Sequence, residues 1–202
     1  MKRNKYSAGA VKFSFWFMEF RKEVQLLASG KSFDDIKKLS EEENIFGAST
    51  PARGKMIFST VTARIKSLNE SFYPLFLESD VSTQKLFALA GTLAHDTLFF
   101  DFVYEVLREK LIIGSNILTD ADFSIYFKNK QEQYEDVAKF TDATINRLIR
   151  SYKTMLFEAG LLDDNSRSSE RQIFKPILDP ILKHWLDDYG YGQIANAMEG
   201  IR

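Results

Sequence analysis

The sequence contains no cysteine. That excludes a disulfide framework, a thiolate metal site and a cysteine nucleophile. Histidine occurs only at His95 and His184. Each stands alone, so the i, i+4 pair of a helical zinc site does not exist. Gly-rich phosphate loops and a G-x-S-x-G nucleophile elbow are missing too. The one acid-x-lysine spacing that suits a magnesium nuclease, Asp35-Ile36-Lys37, falls at a helix start, where capping explains the acid. Charges interrupt every apolar stretch within a few residues, so no segment reads as a bilayer span. The aromatic run Phe13–Phe20 is followed at once by Arg21, Lys22 and Glu23, a poor signal-peptide core. These absences lead to the expectation of a cytoplasmic protein that is not an enzyme. It is expected to have no catalytic residue, metal, cofactor, small-molecule substrate or membrane partner.

What is present is apolar surface and unevenly placed charge. Hydrophobic residues make up 45% of the 202-residue chain and aromatics 14%, enough for a buried core. The net charge of −1 hides an asymmetry. Residues 1–38 carry nine Lys/Arg against four Asp/Glu, and residues 70–125 carry three against nine. A basic stretch returns at Arg147, Arg150, Lys153, Arg167, Arg171 and Lys175. Two basic regions around an acidic middle fit a polar molecule with one binding face, or halves that attract each other inside the fold.

Apolar periodicity predicts helices nearly throughout. Phe13, Trp16, Phe17, Phe20, Val24 and Leu27 form the strongest stripe, which predicts a first helix from about Ala8 to Ala28, ended by Gly30. Ser32 caps a second helix, Phe33 to about Glu42. Ser82 or Thr83, Thr119 and Thr141 are read as caps of later helices, and Asp179-Pro180 as the start of another. The polar segment from Asp163 to Arg171, followed by Gln172-Ile173-Phe174, resembles a winged-helix ending with Arg167 near the wing tip; a plain surface loop is the simpler reading and fits it better. The fold class is all-α with at most one small β-hairpin near 163–175. The N-terminal part, 1–69, is helix-turn-helix-like, and residues 70–202 form a C-terminal helical subdomain.

The stretch Asn44–Leu68 is the best candidate surface. Ser49 or Thr50 serves as N-cap, and Pro51 sits in the first turn, where its missing N–H is tolerated. On a helical wheel Ile57, Phe58, Val61, Ile65 and Leu68 share one arc. Lys55, Ser59, Thr62 and Lys66 lie opposite, and Arg53 and Arg64 border the apolar arc. Ser49 to Leu68 holds four basic residues and no acid. Arg53 stands where a capping box would place Glu or Gln, so the helix start keeps its positive potential and free N–H groups. That composition suits phosphate; it also fits a merely solvated face. The predicted nucleic-acid contacts are Ser49, Thr50, Arg53, Lys55, Arg64 and Lys66, with Arg147, Arg150, Lys153 and Arg167 as a second patch.

A succession of short motifs resembles one family. They are Tyr6-Ser7-Ala8-Gly9, Ser49-Thr50-Pro51-Ala52 with Arg64-Ile65, Asp101-Phe102-Val103-Tyr104-Glu105-Val106, Asp122-Phe123 with Tyr126-Phe127, and Glu158-Ala159-Gly160-Leu161-Leu162. In order over nearly the full length, they resemble the BrxA proteins of BREX phage-defence systems. Where that family tends to have Ala-Lys-Arg, this chain has Ala52-Arg53-Gly54-Lys55, so the basic character is kept but shifted. The resemblance implies a compact helical bundle similar to the RNA-binding factor NusB. It also implies an accessory role on double-stranded DNA beside other BREX proteins. Two alternatives stay open: an adaptor whose acidic middle, around Asp96 to Glu109, docks a basic BREX partner, and RNA binding in the manner of NusB.

Overall fold

In the computed structural model, which describes residues 3–164 and 168–202, the chain does not become helical where its first apolar stripe begins. Gly9–Val11 form a single 3-10 turn, and α1 runs only from Phe17 to Ala28. The reason lies in Phe15, Trp16 and Phe17, all buried. Successive helical residues point about 100° apart, so a helix cannot bury three in a row against one neighbour. The chain instead passes through Trp16 in the left-handed conformation (φ 53°, ψ 47°). That conformation costs a non-glycine residue about 1–2 kcal/mol, which burial of the indole offsets.

Local capping sets the next elements. Ser32 opens α2 (Phe33–Glu42) in a full capping box with Asp35. Thr50 opens α3 (Pro51–Lys66), accepting the Arg53 N–H at 3.2 Å. A short α4 (Phe72–Glu78) leads to α5 (Val81–His95). Asp80, not Ser82 or Thr83, is the α5 cap, accepting the Thr83 N–H at 2.7 Å. From Leu86 to Ala94 every α5 side chain is buried, so this is the central helix. It bends by 110° into the segment Thr97–Ile112. Asp96 at the bend caps α6 (Thr97–Phe102), which continues through a π-helical turn, Val103–Leu107, into α7 (Arg108–Ile112). No single described helix is long and apolar enough to cross a membrane.

Then follow β1 (Ile117–Thr119), α8 (Asp120–Gln133), α9 (Glu135–Ala138), α10 (Asp142–Glu158), β2 (Glu170–Gln172), α11 (Pro180–Asp188) and α12 (Gly192–Glu199). The molecule is all-α with one small antiparallel sheet. Its strand β2 lies in the expected 163–175 region and pairs with β1, Leu118 opposite Arg171, while a bridge from Leu162 to Ile173 closes that region on itself.

One hydrophobic cluster holds residues from Ala10 to Met198. Helix α3 packs against α1, α2 and α5. Gly91 permits its approach to α5: a Cβ there would stand 3.1 Å from the Arg64 carbonyl oxygen and 3.3 Å from the Phe20 ring. Aromatic pairs stitch the rest, including Phe99 on Tyr152 at 4.3 Å and Phe102 on Phe123 at 4.4 Å. Such pairs contribute about 0.5–1.5 kcal/mol each beyond their buried area.

Candidate nucleic-acid interface

Helix α3 presents a narrower polar face than its wheel predicts. Lys55, Ser59 and Lys66 are exposed, whereas Thr60, Thr62 and Arg64 are buried. Thr62 faces inward to donate a 2.5 Å hydrogen bond to Glu23, a fully buried carboxyl on α1. Burial pushes Glu23 up to about 8, against the lowering effect of Thr62 and Lys66. Lys66 itself lies 4.3 Å above the Phe33 ring. Ser49 and Thr50 are exposed ahead of the helix, and the first turn carries no acid. Arg53 stacks over Trp16 at 5.0 Å, half-buried.

Arg64, expected among the phosphate contacts, is instead buried. Its side chain is 3% exposed and donates to the carbonyls of Ser14 at 2.9 Å and Phe15 at 2.7 Å. It braces the non-helical entry to α1 and cannot reach a phosphate. Burial lowers its pKa to about 10, so it remains charged near neutrality.

The second patch divides similarly. Arg147 and Arg150 on α10 are exposed. Lys153 is largely covered: it pairs with Asp120 and lies 5.3 Å from the Phe123 ring. Arg167 lies outside the described residues. Arg53, Lys55, Lys66, Arg147 and Arg150 form no ion pair among the described residues. Beside α10 a cleft of about 750 Å³ opens toward α8 and β2, with Arg150, Lys153 and Arg171 on its walls. Arg171 was legible only as one more charge in a basic stretch, because the pairing that brings β2 to β1 is not local.

The acidic middle is largely consumed inside the fold. Asp101, 3% exposed, accepts from Arg3 at 2.7 Å and from the Tyr6 hydroxyl at 2.5 Å, and lies 3.4 Å from Lys130. Lys130 also pairs with Glu105 at 2.8 Å. Asp122 holds Lys110 at 2.8 Å and completes the α8 capping box. Asp96, raised by burial to about 6, is spent on capping α6. Two of these pairs, Arg3 with Asp101 and Lys153 with Asp120, join the basic ends to the acidic centre; the others use Lys110 and Lys130, which lie outside the basic ends. Among the described residues no group of three His, Asp or Glu side chains is placed to hold a metal ion.

Comparison with known proteins bears on what such a surface does. The BrxA family model matches residues 4–190. The chain is 39% identical over 163 residues to the BREX protein BrxA of Bacillus cereus (strain H3081.97), covering 81% of this chain and 80% of that one. It is 21% identical over 159 residues to the BREX protein BrxA of Escherichia coli O9:H4 (strain HS), covering 79% and 73% respectively. Its fold is similar, with a TM-score of 0.81 at 18% identity, to the crystal structure of an uncharacterized protein from Magnetospirillum magneticum. That match covers 98% of this chain and all of the other.

Proposed function

The chain belongs to the BrxA family of BREX phage-defence systems, and from that premise we propose that it is a non-enzymatic accessory protein that grips double-stranded DNA through its phosphates. The observation that carries the reading is α3: an outer face bearing Lys55 and Lys66, no acid anywhere on the helix, and a first turn without a carboxylate. Exposed, unpaired cations suit phosphate because they lose no internal partner on binding and release counterions from the duplex. Arg53 stands over the Trp16 ring at the helix start, where the positive end of the helix dipole adds to its pull on an anion. Arg147 and Arg150 supply further exposed charge on α10. Contacts of this kind fix position without reading bases, so weak sequence preference follows.

The test is fluorescence anisotropy of a labelled duplex at low salt with Lys55→Glu combined with Arg147→Glu. Both side chains are exposed and unpaired, so the fold is expected to survive. Binding weakened by about tenfold or more, with circular dichroism unchanged, supports the reading; unchanged affinity overturns it. Structured RNA competing better than duplex at equal salt would move the same surface to RNA.

A further inference from the structure

The cleft between α8, α10 and β2 is more than an extension of a charged surface. It is concave, and its volume of about 750 Å³ falls within the roughly 300–1,000 Å³ of small-molecule sites. A duplex backbone needs only a shallow strip. Three cations line it: Arg150, Lys153 and Arg171. Among the described lining residues the one carboxylate, Asp120, is engaged by Lys153. The serine hydroxyls of Ser168 and Ser169 sit at the same opening.

Arg171 carries the argument. It is only 8% exposed, and its Nη1 is committed to the Asp163 carbonyl at 2.8 Å. Its Nε is buried and has no hydrogen-bond partner among the described residues. A buried guanidinium N–H without an acceptor is unfavourable, and the planar fork of arginine matches phosphate oxygens. Arg150, lining the same cleft, is exposed and forms no ion pair among the described residues. The exposed Arg150 guanidinium, the Arg171 guanidinium with one N–H unpartnered, and an ammonium that can exchange Asp120 for a stronger anion make a receptor for a tetrahedral, multiply charged group.

We propose that this cleft binds a phosphoryl group, held between Arg150, Lys153 and Arg171, with Asp120 released from Lys153 as the ligand enters. The source is either a small phosphorylated molecule such as a nucleotide or a phosphate of bound nucleic acid. The proposal deepens the duplex reading in the second case and stands apart from it in the first.

Orthophosphate and deoxyadenosine 5′-monophosphate are the probes, followed by phosphorus NMR and isothermal titration at constant ionic strength. Saturable binding at millimolar concentrations, about tenfold weaker in Arg150→Glu and unchanged in Lys55→Glu, is expected. Arg150 is exposed and unpaired, so its variant keeps the fold; Arg171→Lys, which retains the charge but loses the fork, is expected to weaken binding as well. Absence of saturable binding by either probe, or equal affinity in Arg150→Glu, overturns the proposal. Competition separates the sources. Duplex that resists saturating phosphate marks a small-molecule site, and duplex displaced from the wild type but not from Arg150→Glu marks a backbone phosphate. Lost phosphate binding with intact duplex binding sinks the cleft alone; the reverse sinks the duplex reading alone.

Discussion

The Arg64 guanidinium donates to the Phe15 carbonyl at 2.7 Å across 49 residues of chain. A residue that borders a basic helix face in sequence is, in the fold, a brace on the backbone entering α1. Arg64→Met is therefore expected to lose stability, by about 2–4 kcal/mol, because two carbonyls lose their donor. Urea denaturation measures this. A variant of wild-type stability with impaired duplex binding would return Arg64 to the interface.

Glu23 makes stability depend on pH. Burial raises its folded pKa to about 8, above the 4.5 of an ordinary glutamate side chain. The folded state therefore holds a proton that the unfolded state releases between those values, and stability falls as pH rises from about 4.5 to about 8. Glu23→Gln is expected to flatten that decline and to gain stability at alkaline pH. Thermal unfolding from pH 5 to pH 9 decides it; the same slope in both proteins would remove Glu23 as its cause.

Gly91 sets the spacing of α3 and α5. A methyl group there meets the Arg64 carbonyl at 3.1 Å, and overpacking of that kind costs about 1–3 kcal/mol. This exceeds the 0.5–1 kcal/mol that alanine gains over glycine in a helix. Gly91→Ala is expected to melt several degrees below the wild type. A raised melting temperature would mean that the two helices separate without loss.

Asp101 tests where the acidic charge goes. It anchors Arg3, Tyr6 and Lys130. Asp101→Ala takes the acceptor from Arg3 and from the Tyr6 hydroxyl and leaves the buried Lys130 ammonium with Glu105 alone, and is expected to cost about 1–3 kcal/mol, whereas Arg3→Ala, at the half-exposed end, costs well under that. Equal and small losses in denaturation would place the acidic residues at the service of a partner.

Elements governed by neighbours in sequence were legible. The capping residues Ser32, Thr50, Thr119 and Thr141 stand where they were read, and α2 has the bounds its apolar spacing gives. What depends on distant partners was not. The apolar stripe through Phe13 and Trp16 suggests a helix from Ala8 with Phe15 buried on a second side, whereas the chain buries Phe15, Trp16 and Phe17 in succession by turning through a left-handed Trp16. Arg64 and Thr62 looked like surface residues because their partners, Phe15 and Glu23, lie 49 and 39 residues away. The acidic middle looked like a docking surface for the same reason, since Arg3 reaches Asp101 across 98 residues.

The central claim, that exposed cations on α3 and α10 grip duplex phosphates, is tested most directly by the salt dependence of binding. The logarithm of the association constant is plotted against the logarithm of salt concentration for the wild type and for Lys55→Ala with Lys66→Gln, the neutral glutamine keeping a second carboxylate away from Glu23. The account predicts a steep negative slope for the wild type, reduced by about 0.9 for each phosphate contact removed. A slope near zero, or one identical in the two proteins, would contradict it.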